Sequence, residues 1–275
     1  MTNAFDWQGS VGRNWAAEWQ RTDTSFSALT PQLLAAIGRE PGEVIVDIGC
    51  GAGELAIAVA GQRPQARVIG CDISGDLIST ATDRGGGLSN LSFTLADAAV
   101  WQPEAAPDLY VSRHGVMFFA DPPAAFAHLA AVAAPGARIV FSCFRAQVHN
   151  DWATAIAELL PPPEPVAAPE FAQGPFAFAD PAHVRRCMAG WRNVEFVPID
   201  FDYVAGAGCD PVTEAMALFG RIGPSAFAMR TLPEAERAAF ERRLLELVEA
   251  HSDGAQVTFK AAAWLITATS DHHYG

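Results

Sequence analysis

The sequence predicts an α/β fold, a doubly wound parallel sheet with helices on both faces, and three observations carry that prediction. Strand-like and helix-like segments alternate from residue 43 to residue 144, the rhythm of a sheet whose crossovers are helices. The first strand, Val44 to Ile48, is apolar but for Asp47, as expected of a strand covered on both faces. It runs directly into Gly49, Gly51 and Gly53. Glycines on alternate positions let the chain turn tightly and pass close to a ligand without Cβ contacts.

Taken in order, residues 1–38 come first, with Trp7, Trp15, Trp19 and Phe26 set among polar residues. Trp15 and Trp19 are four apart and would share one helix face. That face either packs on the core or closes over a ligand as a helical flap. Thr30 is placed to cap a further helix, with Pro31 at its first position, and Pro41-Gly42 turns into the first strand. Glu54 opens the helix after the glycine turn, where a carboxylate suits the positive end of the helix dipole. Further strands are expected near 67–71, 91–95, 108–112 and 137–143, and helices near 54–61, 75–83, 98–101 and 122–133.

Residues 145–182 break the rhythm. Trp152 to Leu160 read as a helix, and the proline run Pro161 to Pro165 stops it. Phe171, Phe176 and Phe178 then bring more aromatic area than a bare linker needs, so this stretch reads as an ordered lid. Asp180 caps a helix that starts at Pro181, and Asp210 caps another that starts at Pro211. A strand pattern begins near Asn193, Glu234 to Ala250 is an amphipathic helix, and Val257 to Ser270 is a long last strand. His272 and His273 lie in a tail too short to be a structured site. Without internal repeats, the chain reads as a single domain over 1–275, with an N-terminal helical flap over 1–38 and a lid insertion over 145–182.

Composition narrows the classes. The 275 residues can bury a sizeable core, and half of them are hydrophobic, so disorder is not the default. Eighteen basic against 31 acidic residues give a net charge of −13. That balance disfavours a nucleic-acid or anionic-membrane footprint. The five cysteines form no C-x-x-C pair, which fits a reducing compartment. No basic-then-apolar leader and no apolar run of membrane-spanning length are present, so a cytoplasmic location and no membrane span are expected.

The turn is G-x-G-x-G, neither the G-x-G-x-x-G of dinucleotide binders nor a phosphate loop. A nucleoside-like ligand without a phosphate fits better. Asp72 ends the second strand, where an acid can accept both ribose hydroxyls. Asp97 ends the third and can accept from an adenine amino group, with the Ala98 N–H offered to the ring. Together VDIGCGAGELA, GCDIS, LADAAVW and PDLYVSRHGVMFFADP resemble, in order and in placement, the successive motifs of class I S-adenosylmethionine-dependent methyltransferases. The last resembles the small-molecule, ubiquinone-biosynthesis-like branch. The resemblance covers residues 40–145 well and the rest loosely.

It implies a Rossmann-like seven-stranded sheet in the order 3-2-1-4-5-7-6 with the last strand antiparallel, and S-adenosyl-L-methionine as cofactor, released as S-adenosyl-L-homocysteine. By position it places Asp47, Gly49, Gly51, Gly53, Asp72, Ile73, Asp97, Ala98 and Arg113 at the cofactor. Arg113 either holds the methionine carboxylate region or forms a buried ion pair. His114 is the candidate catalytic base, its alternative being a pocket wall. Met117, Phe118, Trp15, Trp19 and Phe176 are expected at the acceptor. The acceptor is expected to be small and apolar or aromatic, with O-, N- and C-methylation all open. Asp121 stands without the carboxylate cluster of metal-dependent relatives, so no metal is expected. A dinucleotide-dependent oxidoreductase and a non-catalytic cofactor-binding protein are the rival readings; monomer and homodimer stay open.

Overall fold

In the early strands, neighbouring residues turn to opposite sides and both sides are buried. Ile45, Val68, Leu109, Val111 and Val140 join one apolar cluster; Val46, Ile48, Ile69, Tyr110, Ile139 and Phe141 join the other. This is the side-chain alternation of a pleated strand with protein on each face. The computed structural model describes residues 4–160 and 171–271. The sheet comprises β1 (Val44–Ile48), β2 (Arg67–Asp72), β3 (Leu91–Leu95), β4 (Leu109–Arg113), β5 (Arg138–Phe144), β6 (Trp191–Ala207) and β7 (Gln256–Ser270). Its order is β3-β2-β1-β4-β5-β7-β6. The first five are parallel, and β7 runs antiparallel between β5 and β6.

The helices are α1 (Ala4–Gln8), α2 (Ser10–Ala17), α3 (Trp19–Ser25), α4 (Thr30–Ile37), α5 (Glu54–Gln62), α6 (Gly75–Gly85), α7 (Pro122–Val132), α8 (Asp151–Leu159), α9 (Pro181–Cys187), α10 (Pro211–Arg221), α11 (Gly223–Thr231) and α12 (Glu234–Ala250). Leu33 and Ile37 of α4 and Leu55 and Val59 of α5 cover one face of the sheet; Phe126 and Leu129 of α7 belong to the other. Each such fully buried side chain contributes about 1.5–3 kcal/mol relative to exposure. Three starts follow the capping chemistry in the sequence: Asp121, Asp180 and Asp210 accept from backbone N–H groups, each before a proline. No helix among the described residues is long and apolar enough to cross a membrane.

Several local expectations are corrected. Trp15 and Trp19 do not share a helix face, because α2 ends at Ala17 and α3 starts at Trp19, with a break at Glu18. Glu18 turns inward, is 1% exposed, and forms ion pairs with both Arg21 and Arg221. Thr30 is already helical, so the cap position falls to Leu29, and the Thr30 hydroxyl accepts instead from Arg113 at 2.8 Å. Residues 98–101 make a single turn closed on the Asp97 carbonyl rather than a helix. Helix α11, bounded by Gly223-Pro224, has no counterpart in the sequence reading. The proline run 161–165 and the tail histidines lie outside the described residues.

Candidate active site

The glycine turn leaves the carboxyl end of β1 with Gly49, Gly51 and Gly53 at φ of 63°, 55° and 87°, values that strain a residue carrying a Cβ. Gly49 also lies against Gly115, just past β4. A Cβ on Gly115 would stand 2.5 Å from the Ile48 carbonyl oxygen and 3.0 Å from the Gly49 Cα. Ser112 fastens the two strand ends, donating to the Ile48 carbonyl at 2.7 Å and accepting from the Gly115 N–H at 3.2 Å. Above this seam lies a cavity of about 440 Å³.

Three acids reach the cavity from successive strand ends. Asp47 is 1% exposed, and neither of its carboxylate oxygens completes a hydrogen bond, although the Ala56 N–H faces it. Burial pushes its pKa up to about 8, with Arg113 acting in the opposite sense. Asp72 is aimed by the backbone: one oxygen accepts from the Gly51 N–H at 2.9 Å and the other from the Ser74 N–H at 2.9 Å. Desolvation raises its pKa and these bonds oppose the rise. Asp97 is exposed and accepts from the Ala99 N–H at 2.9 Å. Ile73 and Ala98 line the cavity beside these last two acids.

Of the two roles open to Arg113, the structure shows the ion pair. Its guanidinium binds Glu54, donates to Thr30, and lies 4.8 Å from the Phe26 ring centroid. A second pair, Arg84–Asp23, brings its carboxylate to the same cavity. Asp23 and Glu54 both line the cavity, and neither was singled out as a site residue from sequence.

His114 sits at φ 64°, a backbone region that histidine tolerates better than most residues. Its Nδ1 pairs with the Ser142 hydroxyl at 3.1 Å, and its Nε2 is buried without a partner. Burial lowers its pKa to about 3, assisted by Arg113. Burial therefore keeps the ring neutral and makes it a weaker base than a free imidazole.

Around His114 the aromatic rings close into a circuit. Phe26–His114 centroids are 5.2 Å apart, His114–Phe144 4.1 Å, Phe144–Trp152 5.3 Å, Trp152–Tyr203 5.5 Å and Tyr203–Phe26 5.7 Å. All five line the cavity, and five separate parts of the chain supply them. Trp7, Trp15, Trp19, Met117 and Phe118 also line it, with Trp7 set edge-on to Phe118 at 5.0 Å. Phe176 does not. It packs behind the wall, stacked on Trp152 at 5.9 Å and against Phe144 at 6.0 Å. Sequence reasoning missed Phe144, Trp152, Tyr203 and the α10–α11 junction, whose Phe219, Ile222 and Ser225 complete the lining. Trp152 alone carried a signal, as an aromatic in the insertion. Among the described residues no cluster of His, Cys, Asp and Glu has the form of a metal site.

A family model described as a methyltransferase domain matches residues 19–193. Trans-aconitate 2-methyltransferase of Methylobacterium radiotolerans is 37% identical over 105 residues, covering 38% of this chain and 39% of that protein. The protein of that name from Escherichia coli O1:K1 is 32% identical over 130 residues, 47% of this chain and 48% of its own. The matched stretch thus spans less than half of either relative. Among solved structures, a protein of echinomycin biosynthesis superposes with TM-score 0.55 at 21% identity over 89% of this chain and 83% of that one. Phosphoethanolamine N-methyltransferase 2 of Haemonchus contortus superposes with TM-score 0.54 at 14% identity over 94% of this chain and 57% of that one. At these identities the likeness is one of fold.

Proposed function

This chain belongs to the methyltransferase domain family, and from that premise we propose that it transfers a methyl group from S-adenosylmethionine to a small, flat, apolar or aromatic acceptor. The observation that carries the acceptor class is the five-ring wall beside the glycine turn. It offers ring faces and apolar edges, surfaces that hold a planar apolar body.

The residues at the strand ends fit the cofactor. Three left-handed glycines leave room for close backbone approach, and Asp47 keeps two buried oxygens without partners, a cost of about 1–3 kcal/mol unless a ligand relieves it. In this reading Asp72 accepts the ribose hydroxyls with the lone pairs that Gly51 and Ser74 leave free. Asp97 and Ala98 meet the adenine edge and Ile73 packs on its face. Gly49, Gly51 and Gly53 form the floor. Bound there, the cofactor supplies an activated methyl on a sulfonium. The protein's own part is alignment and exclusion of water. A fixed near-attack geometry can account for about 7–11 kcal/mol of barrier lowering.

The named relatives suggest a tricarboxylate acceptor, and the cavity argues against it here. Arg113 is the one guanidinium among the described residues lining it, and Glu54 already neutralises that charge. Glu54, Asp72, Asp97 and Asp121 also line it, a surround that disfavours a polyanion. The test is a titration with S-adenosylmethionine and with NAD, then turnover against aromatic hydroxy compounds, amines and trans-aconitate, read by mass spectrometry as gain of one CH2 unit. Tight NAD binding without cofactor binding would favour the oxidoreductase. Cofactor binding without transfer to any acceptor would favour the non-catalytic protein. Preferred methylation of trans-aconitate would overturn the acceptor class.

Two further outcomes follow from this reading. A neutral, buried His114 shapes the wall and does not take the proton, so His114→Phe is expected to keep turnover within about tenfold. A loss of about 100-fold or more with cofactor affinity intact would restore the base role. Residues 1–38, as a flap, supply Trp7, Trp15, Trp19, Asp23 and Phe26 to the cavity, and the 145–182 insertion supplies Trp152 and Gln173. Amides of both segments should gain protection from hydrogen exchange when the cofactor binds. Unchanged exchange in both would mean plain packing.

A further inference from the structure

Two ion pairs bring their carboxylates to the cavity floor. Asp23 of α3 pairs with Arg84 of α6, and Glu54 at the first position of α5 pairs with Arg113 at the end of β4. Arg84 is locked in place. It donates to the Ala52 carbonyl at 2.6 Å, and its guanidinium lies 3.8 Å from the centroid of the Trp19 ring. Arg113 is held by Thr30. The Asp23 carboxyl feels the charge of Glu54 across this floor. Each side chain remains 21% exposed, and both line the cavity with Gly51 and Ala52 of the glycine turn.

Two adjoining carboxyl groups in a partly dry site do not ionise independently. Desolvation, then the charge of Glu54, push Asp23 up to about 7, while Arg84 and Arg113 pull it down. Deeper in, Asp47 of β1 feels both Arg113 and Glu54. An added cation against the pair would remove the reason for it to keep its proton.

We propose that the Asp23–Glu54 pair docks the α-ammonium of the cofactor's amino-acid end, and that binding expels one proton from the pair to solvent. This rests on the methyltransferase reading. The arrangement suits a zwitterion, because two carboxylates meet the ammonium and Arg113, the guanidinium that lines the cavity beside them, presents donors for the α-carboxylate. Since Asp23 belongs to α3 and Glu54 to the sheet's own α5, the same contact ties the N-terminal helices to cofactor occupancy.

The test is calorimetry from pH 5.5 to 7.5, in buffers of different ionisation enthalpy, with three ligands. S-Adenosylmethionine and S-adenosylhomocysteine share the amino-acid end; 5′-methylthioadenosine lacks it. Affinity for the first two is expected to rise about 20-fold across this range, the span for one linked proton with an apo value near 7. Asp23→Asn should release about one proton fewer per ligand bound and flatten that rise. Glu54→Gln carries the same expectation should the first variant not fold. An equal rise for 5′-methylthioadenosine, or a rise for S-adenosylmethionine alone, would overturn the assignment, the latter by showing that the sulfonium is the cation read. An unchanged proton count in folded Asp23→Asn would overturn it too. Failure of S-adenosylmethionine to bind at any pH would instead overturn the function proposed above.

Discussion

Asp72→Ala is expected to weaken S-adenosylmethionine binding by roughly 1.5–3 kcal/mol, or about 10- to 100-fold, the scale of losing charge-assisted hydrogen bonds. The geometry explains why the effect should be large. Asp72 is 8% exposed, and its two oxygens are each fixed by a backbone N–H, from Gly51 and from Ser74. A carboxylate held this way meets two vicinal hydroxyls without losing rotamer freedom. Alanine removes the acceptors and also frees two backbone donors, so the Gly51 end of the turn should loosen. Calorimetry on a variant whose melting and circular dichroism show an intact fold is the measurement. Unchanged affinity in such a variant would remove Asp72 from the site.

The fold was legible where structure is local and periodic. Val44 to Ile48 alternates between two buried faces because both faces of β1 are covered, and that burial leaves an apolar run in the sequence. Asp180-Pro181 and Asp210-Pro211 start helices because a carboxylate accepts the free N–H groups and a proline needs none. The acids of the site were readable for the same reason: Asp47, Asp72 and Asp97 each follow from the end of a strand.

What escaped depends on contacts between distant segments. Glu18 looks like a surface residue, yet it is buried because Arg21 and Arg221 close on it from α3 and α10. The N-terminal helix breaks at this same residue, between Trp15 and Trp19. The aromatic circuit has the same character. Phe26, His114, Phe144, Trp152 and Tyr203 have no common spacing, and only the crossing of five elements above one sheet edge joins them. Phe176 was assigned to the pocket for its bulk, but bulk does not tell a wall from the layer behind it.

Asp47→Asn is expected to raise stability and lower cofactor affinity together. Asp47 is buried, its oxygens lack partners, and burial holds its folded pKa at about 8 against an ordinary 3.8. Below that ordinary value the carboxyl is protonated in both folded and unfolded chains and carries no linkage. As pH rises from there to about 8 the unfolded chain ionises while the folded one keeps its proton. Stability is therefore lost progressively across that window and levels off above it. Asparagine does not titrate, so the variant escapes this loss. Its advantage should be absent near pH 4 and reach about 2–4 kcal/mol by pH 8, on the order of 5–10 °C in Tm for a chain of this size. A position that destabilises the empty protein and sits under the glycine turn is suited to a ligand whose donors relieve it. The same variant should accordingly bind S-adenosylmethionine about tenfold or more weakly. Thermal unfolding and calorimetry at pH 5 and pH 8 read both effects. A variant less stable than wild type at pH 8 would mean that Asp47 is ionised and well paired in the native protein, and the argument from its unpartnered oxygens would fail.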